Sequence, residues 1–439
     1  MTGPGPRPAV GDETPGWPRA ILRGFLVFLP IAAVGLVAAL ATFLFADPGV
    51  SLAGALRIGA LYLGPFHHVA LVIEGDLDVD VSRLPASGTP VGGSATVELG
   101  VALLAVTALA VWLLFRAGRA SGFGDGPGAR ALSGSAVALG YAPPVLLVAL
   151  LVRFEEPVEL GSFVTGGVRV SMSTWQALAF PLAIAAIAGA FGGLWSWLRS
   201  AGARRPAVRT RAVLGGGWLM FLLGLGLSYL GLFVAGIVQP DEPVATATPS
   251  TARYFSTVFE RPGQGAVILA HHLALAPNEA LWTLVPAVGG CDVVRGSDRA
   301  ELLCYRRFPS GATPDGDVSF GNAPGGYLAF LLVPALATLV GGRWAGSTAE
   351  GAGTSGAAIG AAAGVVFGVA VFAGCLLASV TLSYGATSGA GSGGGGHLWI
   401  GPDPVSGTLF ALAWGLVGGA VGGASSGFRR PKAERQPTG

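Results

Sequence analysis

The chain has 439 residues, of which 52% are hydrophobic and only 11% are charged, with a mean hydropathy of +0.64 and a formal net charge of +2. Soluble domains carry about 25% charged residues, so this composition excludes a cytosolic enzyme, a secreted disulfide-rich scaffold and a disordered chain, and it places most of the chain in lipid. The near-neutral charge indicates no nucleic-acid partner, and the use of Arg for 25 of the 26 basic residues is typical of a GC-rich bacterial genome.

Eight apolar stretches of about 20 residues, each bounded by charged or turn residues, predict an all-α polytopic membrane protein with eight transmembrane helices. In chain order they are Gly24–Ala46, Thr96–Phe115, Leu132–Val152, Trp175–Trp197, Val213–Val238, Gly326–Ala345, Ala357–Leu382 and Val405–Ala424. Residues 1–20 are rich in Pro and Gly and predict a disordered cytoplasmic N-terminus. The first apolar run is too long for the core of a signal peptide, so we expect an uncleaved anchor.

Residues 47–95 separate the first two predicted helices and form a first excursion outside the membrane. Acidic and aliphatic residues alternate from Glu74 to Val81, which predicts a short strand with one acidic, solvated face. A calcium loop requires Gly where Val81 stands, so an EF-hand is excluded. A cation site on the acidic face remains the alternative to a solvated strand.

Proline and glycine mark special positions within the spans. Pro143-Pro144 lies midway along the third predicted helix and predicts a static kink, with the lining of a pathway as the alternative. Small residues permit close contact between helices in lipid, so we expect tight helix packing at two glycine runs, Gly189, Gly192 and Gly193 in the fourth helix and Gly419, Gly422 and Gly423 in the eighth. Residues 386–396 are extremely rich in Gly and Ser and predict a flexible outside linker.

Residues 239–325 form a second, larger excursion that contains another apolar segment, Gly265–Gly290. A ninth crossing there would invert every later loop, so we expect a re-entrant or interfacial helical hairpin broken near Pro277. Pro277, Asn278 and Glu279 suit the first turn of a helix, and polar groups at membrane depth are also candidates for a functional site. The run Pro277-Asn278 followed by Trp282 resembles a segment of polytopic envelope proteins of actinobacteria, a resemblance that implies no residue role.

Two of the three cysteines lie in a predicted outside excursion, and the third lies in a predicted membrane span. Cys291 and Cys304 lie in the second excursion, and because the space outside the plasma membrane is oxidising we predict a disulfide between them. Cys375 lies within the seventh predicted helix, where we expect it to pack against neighbouring side chains.

The two halves of the chain match each other in one order, which predicts an internal duplication. The matched pairs are His67-His68 with His271-His272, Arg83–Pro90 with Arg307–Pro314, Arg116–Gly118 with Arg343–Gly346, Ser133-Gly134 with Ser355-Gly356, and Gly189–Gly193 with Gly419–Gly423. The predicted domains are a first four-helix repeat over 21–212, a second over 213–428 and a basic cytoplasmic tail over 429–439. Two repeats of even span number are related by a pseudo-two-fold axis along the membrane normal.

The paired histidines are the main candidates for chemistry. His67, His68, His271 and His272, with Asn278 and Glu279, are candidates to bind a ligand or relay protons near the axis. The alternative is that one histidine of each pair packs at a helix interface and hydrogen-bonds a backbone carbonyl. The sequence contains no strong metal-binding spacing, so we predict neither a metal nor a cofactor.

The charges orient the chain. With a cytoplasmic N-terminus, the inside holds 16 basic and five acidic residues and the outside holds ten basic and 19 acidic residues. Four arginines, Arg204, Arg205, Arg209 and Arg211, crowd one short inside loop. The positive-inside rule therefore predicts a bacterial plasma-membrane protein with both termini in the cytoplasm.

The sequence is consistent with three classes of function: an enzyme, an interaction protein and a transporter. The sequence has no nucleophile elbow, phosphate loop or paired catalytic carboxylates, so we expect no enzymatic activity. Because the spans contain almost no charge and the inside loops are short, we favour a non-enzymatic cell-envelope assembly or interaction protein that acts through its extracytoplasmic face. Its partners are the lipid bilayer and other envelope membrane proteins. The alternative is a transporter or channel for a small uncharged solute at the interface of the two repeats.

Overall fold

The computed structural model describes residues 16–45, 51–79, 93–159, 164–200, 205–238, 262–296, 300–304, 308–312, 318–322, 325–350, 353–388 and 393–429. Within these ranges the chain is mostly helical, and eight helices are long and apolar enough to cross a membrane. They cover Trp17–Ala41, Leu104–Ser121, Pro127–Leu151, Thr174–Ser200, Pro206–Val234, Leu328–Thr348, Gly356–Ala378 and Pro404–Ser425. The predicted number of spans is therefore confirmed, as expected for a multi-pass membrane protein.

The first half of the chain alternates helices with β-hairpins. Its elements are α1 Trp17–Phe45, α2 Leu52–Leu61, α3 Leu63–Phe66, β1 Leu71–Val79, β2 Gly93–Gly100, α4 Leu104–Ser121, α5 Pro127–Ser135, α6 Ala138–Leu151, β3 Phe154–Glu159, β4 Val164–Met172 and α7 Thr174–Ser200. The short helix α2 begins at Ser51, whose hydroxyl accepts a hydrogen bond from the Gly54 amide. It packs alongside the spanning helix α1.

The second half follows the same alternation. Its elements are α8 Arg205–Val238, α9 Pro262–Val288, β5 Asp292–Arg295, β6 Ala300–Leu303, β7 Phe308–Ala312, β8 Val318–Gly321, a 3-10 turn Gly325–Leu331, α10 Leu332–Thr348, α11 Gly356–Ala378, β9 Val380–Ser388, β10 Gly393–Pro402, α12 Pro404–Ser425 and a 3-10 turn Ser426–Arg429. Asp403 caps α12 by accepting from the Ser406 amide, and Pro404 occupies its first turn.

An eight-stranded antiparallel sheet lies at one end of the helices, because its hairpins connect consecutive helices on that side. Its strand order is β3-β4-β1-β2-β9-β10-β5-β6, and β7 and β8 form a separate hairpin. Strands β2 and β9 pair along eight residues and join the two halves of the chain. The prediction of an all-α protein was therefore incomplete, because the helices carry a sheet that includes every described strand except β7 and β8.

Several predicted element boundaries differ from the observed ones, because residues predicted as helix or linker belong to strands of the sheet. Residues 96–100, predicted as the start of the second span, belong to β2, and α4 begins at Leu104. Residues 380–382 begin β9 rather than ending the seventh span. The Gly-rich segment predicted as a flexible linker contributes to both strands of the β9–β10 hairpin. The predicted acidic strand is confirmed over residues 74–79, whereas residues 80–81 lie outside the described ranges.

One of the two predictions about proline is wrong, and the kink predicted at Pro143-Pro144 stays a prediction. Residues 262–288 form one continuous helix through Pro277, not a hairpin broken there. The third span is interrupted at Ala136 and Val137, between α5 and α6, whereas Pro143 and Pro144 lie inside α6.

The two glycine runs lie where helices approach each other closely. Helix α7 packs against α4, α5 and α6, and α12 packs against α10 and α11. The buried glycines of these contacts are Gly189, Gly192 and Gly193 in α7 and Gly419, Gly422 and Gly423 in α12. At each of them a Cβ atom would overlap backbone of the facing helix, so a glycine allows the approach.

The described residues do not include the Arg83–Pro90 motif, most of residues 1–20, Arg307, Thr313, Pro314 or the tail beyond Arg429.

Candidate functional site

His67 is a buried structural histidine at the end of α3. Its Nδ1 lies 2.7 Å from the Leu63 carbonyl oxygen and its Nε2 lies 2.6 Å from the Tyr141 hydroxyl. Because a carbonyl can only accept, Nδ1 carries the proton and Nε2 accepts from Tyr141. Burial lowers the pKa of His67 to about 4, so the ring is neutral at physiological pH. This geometry matches the packing alternative for the first histidine pair.

His68 turns the chain from α3 into β1. Its φ is +62°, an uncommon conformation for a residue with a side chain, and its ring packs against Phe180 at a centroid distance of 5.8 Å. The amide of Val69 donates to the Gly64 carbonyl oxygen at 2.9 Å and closes the turn. His68 therefore holds a backbone corner between a helix and the sheet.

His272 and Glu279 form a buried pair on α9. Their side chains are 7% and 6% exposed, and Nδ1 of His272 lies 3.1 Å from Oε1 of Glu279. A spacing of seven residues is about two helical turns, which places both on one face. Burial raises the pKa of Glu279 to about 7 and lowers that of His272 below its ordinary value. The side chain of His271 lies outside the described residues.

Asn278 connects the two halves of the chain. Its Nδ2 donates to the Ala102 carbonyl oxygen at 2.8 Å, and its Oδ1 accepts from the Leu104 amide at 3.1 Å. Leu104 is the first residue of α4, whose first amides have no partner within the helix. A side chain of α9 therefore caps a spanning helix of the other half.

Replacing Asn278 by alanine should destabilise the fold by about 2 kcal/mol, because it leaves one buried acceptor and one buried donor unpaired. Thermal unfolding of the purified protein in detergent measures the loss. Thr283→Ala is the matched control, since Thr283 donates only within its own helix, to the Glu279 carbonyl oxygen. Equal losses in the two variants would contradict the role assigned to Asn278.

Glu279→Gln should stabilise the protein at about pH 8 and have little effect at about pH 4.5. The folded protein holds the Glu279 proton up to about pH 7, whereas the unfolded chain releases it near 4.5. The free energy of unfolding therefore falls as the pH rises through this window, and glutamine removes that fall. The lowered pKa of His272 acts in the opposite direction, on the acid side of its ordinary 6.5, in both proteins.

Unfolding temperatures from pH 4.5 to 8 measure this difference. Glu98→Gln, at an exposed carboxylate of β2, is the control for the loss of a carboxylate at the surface. A pH-independent gap between wild type and Glu279→Gln would contradict the burial assigned to this carboxylate.

The candidate site residues do not form one cluster. His67 and His68 contact Leu63, Tyr141 and Phe180, all in the first half, whereas His272 contacts Glu279 in the second. Among the described residues, no group of three or more His, Cys, Asp or Glu side chains is arranged to hold a metal ion.

Cys291 and Cys304 are joined by a disulfide at the edge of the sheet. Cys291 precedes β5 and Cys304 follows β6, and their Cα atoms are 4.6 Å apart. The bond closes the open end of the β5–β6 hairpin. Cys375 is a buried free cysteine within α11.

The sheet has one polar face. Arg169 of β4 pairs with Glu155 at 2.8 Å and with Glu74 at 3.7 Å, and Ser94 and Thr387 hydrogen-bond at 2.7 Å across the β2–β9 junction. Glu74 thus faces an arginine.

The opposite face of the sheet is apolar, and sequence reasoning did not identify it. Register places three rows on this face, ordered by distance from the helices. We call them the leucine row (Met172, Leu71, Leu99, Leu382, Leu398), the middle row (Phe154, Val170, Ile73, Val97, Tyr384, Gly396) and the small-residue row (Glu156, Val168, Gly75, Ala95, Ala386, Gly394). The alternation of β1 was the available signal, but it was interpreted only for its acidic side.

The apolar face is packed near the helices and open farther away. Met172 belongs to the first-half core, and Leu71, Phe154 and Val170 pack against that core. In the small-residue row, a Cβ at Gly394 would meet no atom within 4 Å, and one at Gly75 would meet only a backbone oxygen at 4.0 Å. The described residues therefore leave the distal part of the face uncovered.

Comparison with known proteins identifies no relative: no protein-family model, curated protein or solved structure matches the chain.

Proposed function

We propose that this chain is a bacterial plasma-membrane protein of two tandem repeats that acts, without enzymatic chemistry, as a cell-envelope interaction protein. Its working surface is the sheet, on the extracytoplasmic side. The observation that carries the proposal is the open apolar face, since exposed contiguous apolar surface marks a site of interaction with another molecule. The other envelope membrane proteins and the lipid bilayer are the partners within reach of this surface.

The disulfide and the charges support this orientation. Disulfides persist in oxidising compartments, and Cys291–Cys304 lies within the sheet. Arg205, Arg209 and Arg211 lie in the first turns of α8, at the helix ends opposite the sheet, as the positive-inside rule requires of a cytoplasmic face.

Equivalent hydrogen bonds support the duplication. The Ser173 amide donates to the Ala70 carbonyl oxygen at 2.9 Å, and the Asp403 amide donates to that of Cys291 at 2.8 Å. Ala70 and Cys291 each lie directly before the first strand of a hairpin. Ser173 and Asp403 each lie directly before the helix that follows the last hairpin of the same half. The strand order agrees, because β3-β4-β1-β2 repeats as β9-β10-β5-β6.

The helix contacts repeat as well. A Cβ at Gly192 would overlap the Phe115 carbonyl oxygen, and one at Gly422 would overlap that of Leu339. Contacts with Arg119 and Arg343 follow in the same order, so they favour Arg119 over Arg116 as the counterpart of Arg343.

Alignment of the two halves by these turns gives the two histidine pairs different positions. His68 at φ +62° and Gly289 at φ +100° occupy the same turn before β1 and β5. In both turns an amide donates back to a carbonyl five residues earlier, Val69 to Gly64 and Gly290 to Val285. His271-His272 therefore has no counterpart in His67-His68.

Crosslinking in living cells tests the interaction proposal. A benzophenone amino acid replaces Val97 on the apolar face or its neighbour Thr96 on the polar face, and irradiation captures what lies against each. We expect a discrete adduct from position 97 and little from position 96. Equal capture from the two faces, or none from position 97 in folded protein, would contradict the proposal.

A transporter for a small uncharged solute is the second candidate. The buried His272–Glu279 pair favours it, because it places polar groups on α9 next to Asn278, where that helix meets α4. Solute-driven swelling of vesicles that contain the purified protein tests it. Flux that Glu279→Gln reduces would establish transport, and vesicles indistinguishable from empty ones would exclude it for the solutes tried.

A further inference from the structure

The two halves of the chain meet at a junction that has a sheet level and a helix level. In the sheet, β2 of the first half pairs with β9 of the second. Next to the helices, Asn278 of α9 bonds to the Ala102 carbonyl oxygen and to the Leu104 amide at the start of α4. Leu104 also packs against the core of the second half. The first half therefore contributes β2 and the start of α4, and the second half contributes β9 and α9.

The chain carries the counterparts of these four elements a second time. In the repeated strand order, β6 has the place of β2 and β3 has the place of β9. Among the described strands, β3 pairs only with β4 and β6 only with β5, so both counterparts are edge strands. Helix α2, which contacts β3, has the place of α9, and the turn before α10 has the place of the start of α4.

The counterpart of Asn278 is Arg57 on α2. Arg57 lies seven residues before Gly64, and Asn278 lies seven residues before Val285. The carbonyl oxygens of Gly64 and Val285 accept the amides that close the two equivalent turns, so these distances along the chain align the two helices. Asn278 is buried in the junction, with 6% of its surface exposed, whereas Arg57 is exposed.

The counterpart of Leu104 is Leu328, in the turn before α10. Leu104 lies 14 residues before Gly118, and Leu328 lies 14 residues before Gly342. A Cβ at Gly118 or Gly342 would overlap the carbonyl oxygen of the first glycine in the glycine run of its own half, which aligns α4 with α10. Leu104 packs across the junction, whereas Leu328 is 56% exposed.

We propose that copies of this chain associate head to tail, with α2 of one copy against the turn before α10 of the next. This inference rests on the duplication in the proposed function and does not depend on the apolar face. The two surfaces differ from each other, so the contact is heterologous and joins copies into a ring or a row. A guanidinium only donates hydrogen bonds, so Arg57 replaces Asn278 as the donor to the carbonyl oxygens of the turn.

The edge strands come side by side in this arrangement but contribute few ladder bonds. Strand β3 contains Pro157, which has no amide hydrogen, and the three glutamates Glu155, Glu156 and Glu159. Proline and charge on an edge strand limit its pairing with another chain. The helix-level contact therefore carries the association. Closure of the junction within one chain fits less well, because it requires β3 and β6 of the same sheet to pair, and the described sheet is open between them.

Disulfide crosslinking in membranes tests the head-to-tail contact. Full-length Arg57→Cys and Leu328→Cys variants, tagged to differ in size, are expressed together and treated with an oxidant. We expect a mixed disulfide-linked dimer at about tenfold the yield of dimers from either variant alone, because a disulfide needs Cα atoms within about 7 Å. The native cysteines give no background, since Cys291 and Cys304 are joined and Cys375 is buried.

The existing junction provides the control for oxidation. Ser94 and Thr387 lie opposite each other across β2 and β9, with their hydroxyl oxygens 2.7 Å apart. The Ser94→Cys, Thr387→Cys double variant should form a disulfide within one chain under the same conditions.

A second measurement tests the contribution of Leu328 to the association. Leu328→Ala should weaken dimerisation about tenfold, because it removes apolar surface that the contact buries. Leu332→Ala is the matched control and should leave dimerisation unchanged. Leu332 is also exposed, but its counterpart Ala108 stays exposed beside the existing junction. Native mass spectrometry of protein released from membranes over a range of protein-to-lipid ratios measures the dimer fraction.

The outcomes distinguish the head-to-tail contact from other arrangements. Dimers from Arg57→Cys alone, at the yield of the mixture, would indicate a two-fold contact and overturn the inference. A disulfide within one chain that carries both Arg57→Cys and Leu328→Cys would indicate closure of the junction and also overturn it. Absence of the mixed dimer, while the control disulfide forms, would overturn the inference and leave an adduct at position 97 as support for the proposed function.

Discussion

Replacing Gly193 by alanine is expected to destabilise the protein by about 3 kcal/mol. Its Cβ would overlap the Arg130 carbonyl oxygen of α5, and because the obstacle is backbone, no side-chain rotation relieves it. Helices α5 and α7 would have to separate, and overpacking of this kind costs about 1 to 3 kcal/mol or more. Thermal unfolding in detergent measures the loss.

Two further glycines make this prediction specific. Gly423→Ala should cost a similar amount, because its Cβ would overlap the Gly356 carbonyl oxygen in the corresponding contact of the second half. Gly226 also lies in a spanning helix, but a Cβ there would meet no atom within 4 Å. Gly226→Ala should therefore be neutral or stabilise by up to about 1 kcal/mol. A similar loss in all three variants would show that glycine packing does not hold the bundle together.

Replacing Cys291 and Cys304 together by serine is expected to cost about 3 kcal/mol. The disulfide closes a loop of about 14 residues, and this constraint on the unfolded chain stabilises by about that amount. Among the described strands, the edge strand β6 pairs only with β5, so its attachment to the sheet depends on this hairpin. Thermal unfolding of the double variant against the wild type measures the loss.

Reductant provides the control for the disulfide. Dithiothreitol should lower the unfolding temperature of the wild type toward that of the double variant and leave the double variant unchanged. Before reduction, alkylation and mass spectrometry should find Cys291 and Cys304 unmodified. Alkylation of both in native protein would contradict the disulfide and remove its support for an extracytoplasmic sheet.

The spanning helices could be predicted because lipid imposes a simple rule on sequence. A helix needs about 20 apolar residues to cross the hydrocarbon, and few other structures have that signature. The rule says less about where a helix ends. Residues after Ala378 stay apolar in Val380 and Leu382, so a hydropathy average continues the span although the backbone has become β9.

The sheet could not be predicted because its stability is not local. Residues 393–396 are four consecutive glycines, which alone indicate a flexible linker, yet β10 pairs there with β9 and beyond it with β5. The apolar face exists only because strands from both halves align Leu71, Leu99 and Leu382 in one row. No single segment contains that pattern.

The histidines illustrate the limit of short motifs. His67-His68 and His271-His272 look alike as letters, but the first pair ends a short helix and the second lies within α9. By contrast, Asn278 was selected for its position beside Pro277, and its contact with α4 depends on the other half of the chain. A residue's partner across the fold is the information that one sequence lacks.

Labelling of single cysteines in intact cells tests most directly whether the sheet lies outside the cell. A membrane-impermeant maleimide is applied to cells that express Glu98→Cys, at an exposed position of the sheet, or Asp125→Cys, at an exposed position between α4 and α5. We expect Glu98→Cys to react in intact cells and Asp125→Cys to react only after the membrane is permeabilised. The reverse pattern would place the sheet in the cytoplasm and contradict the extracytoplasmic interaction face.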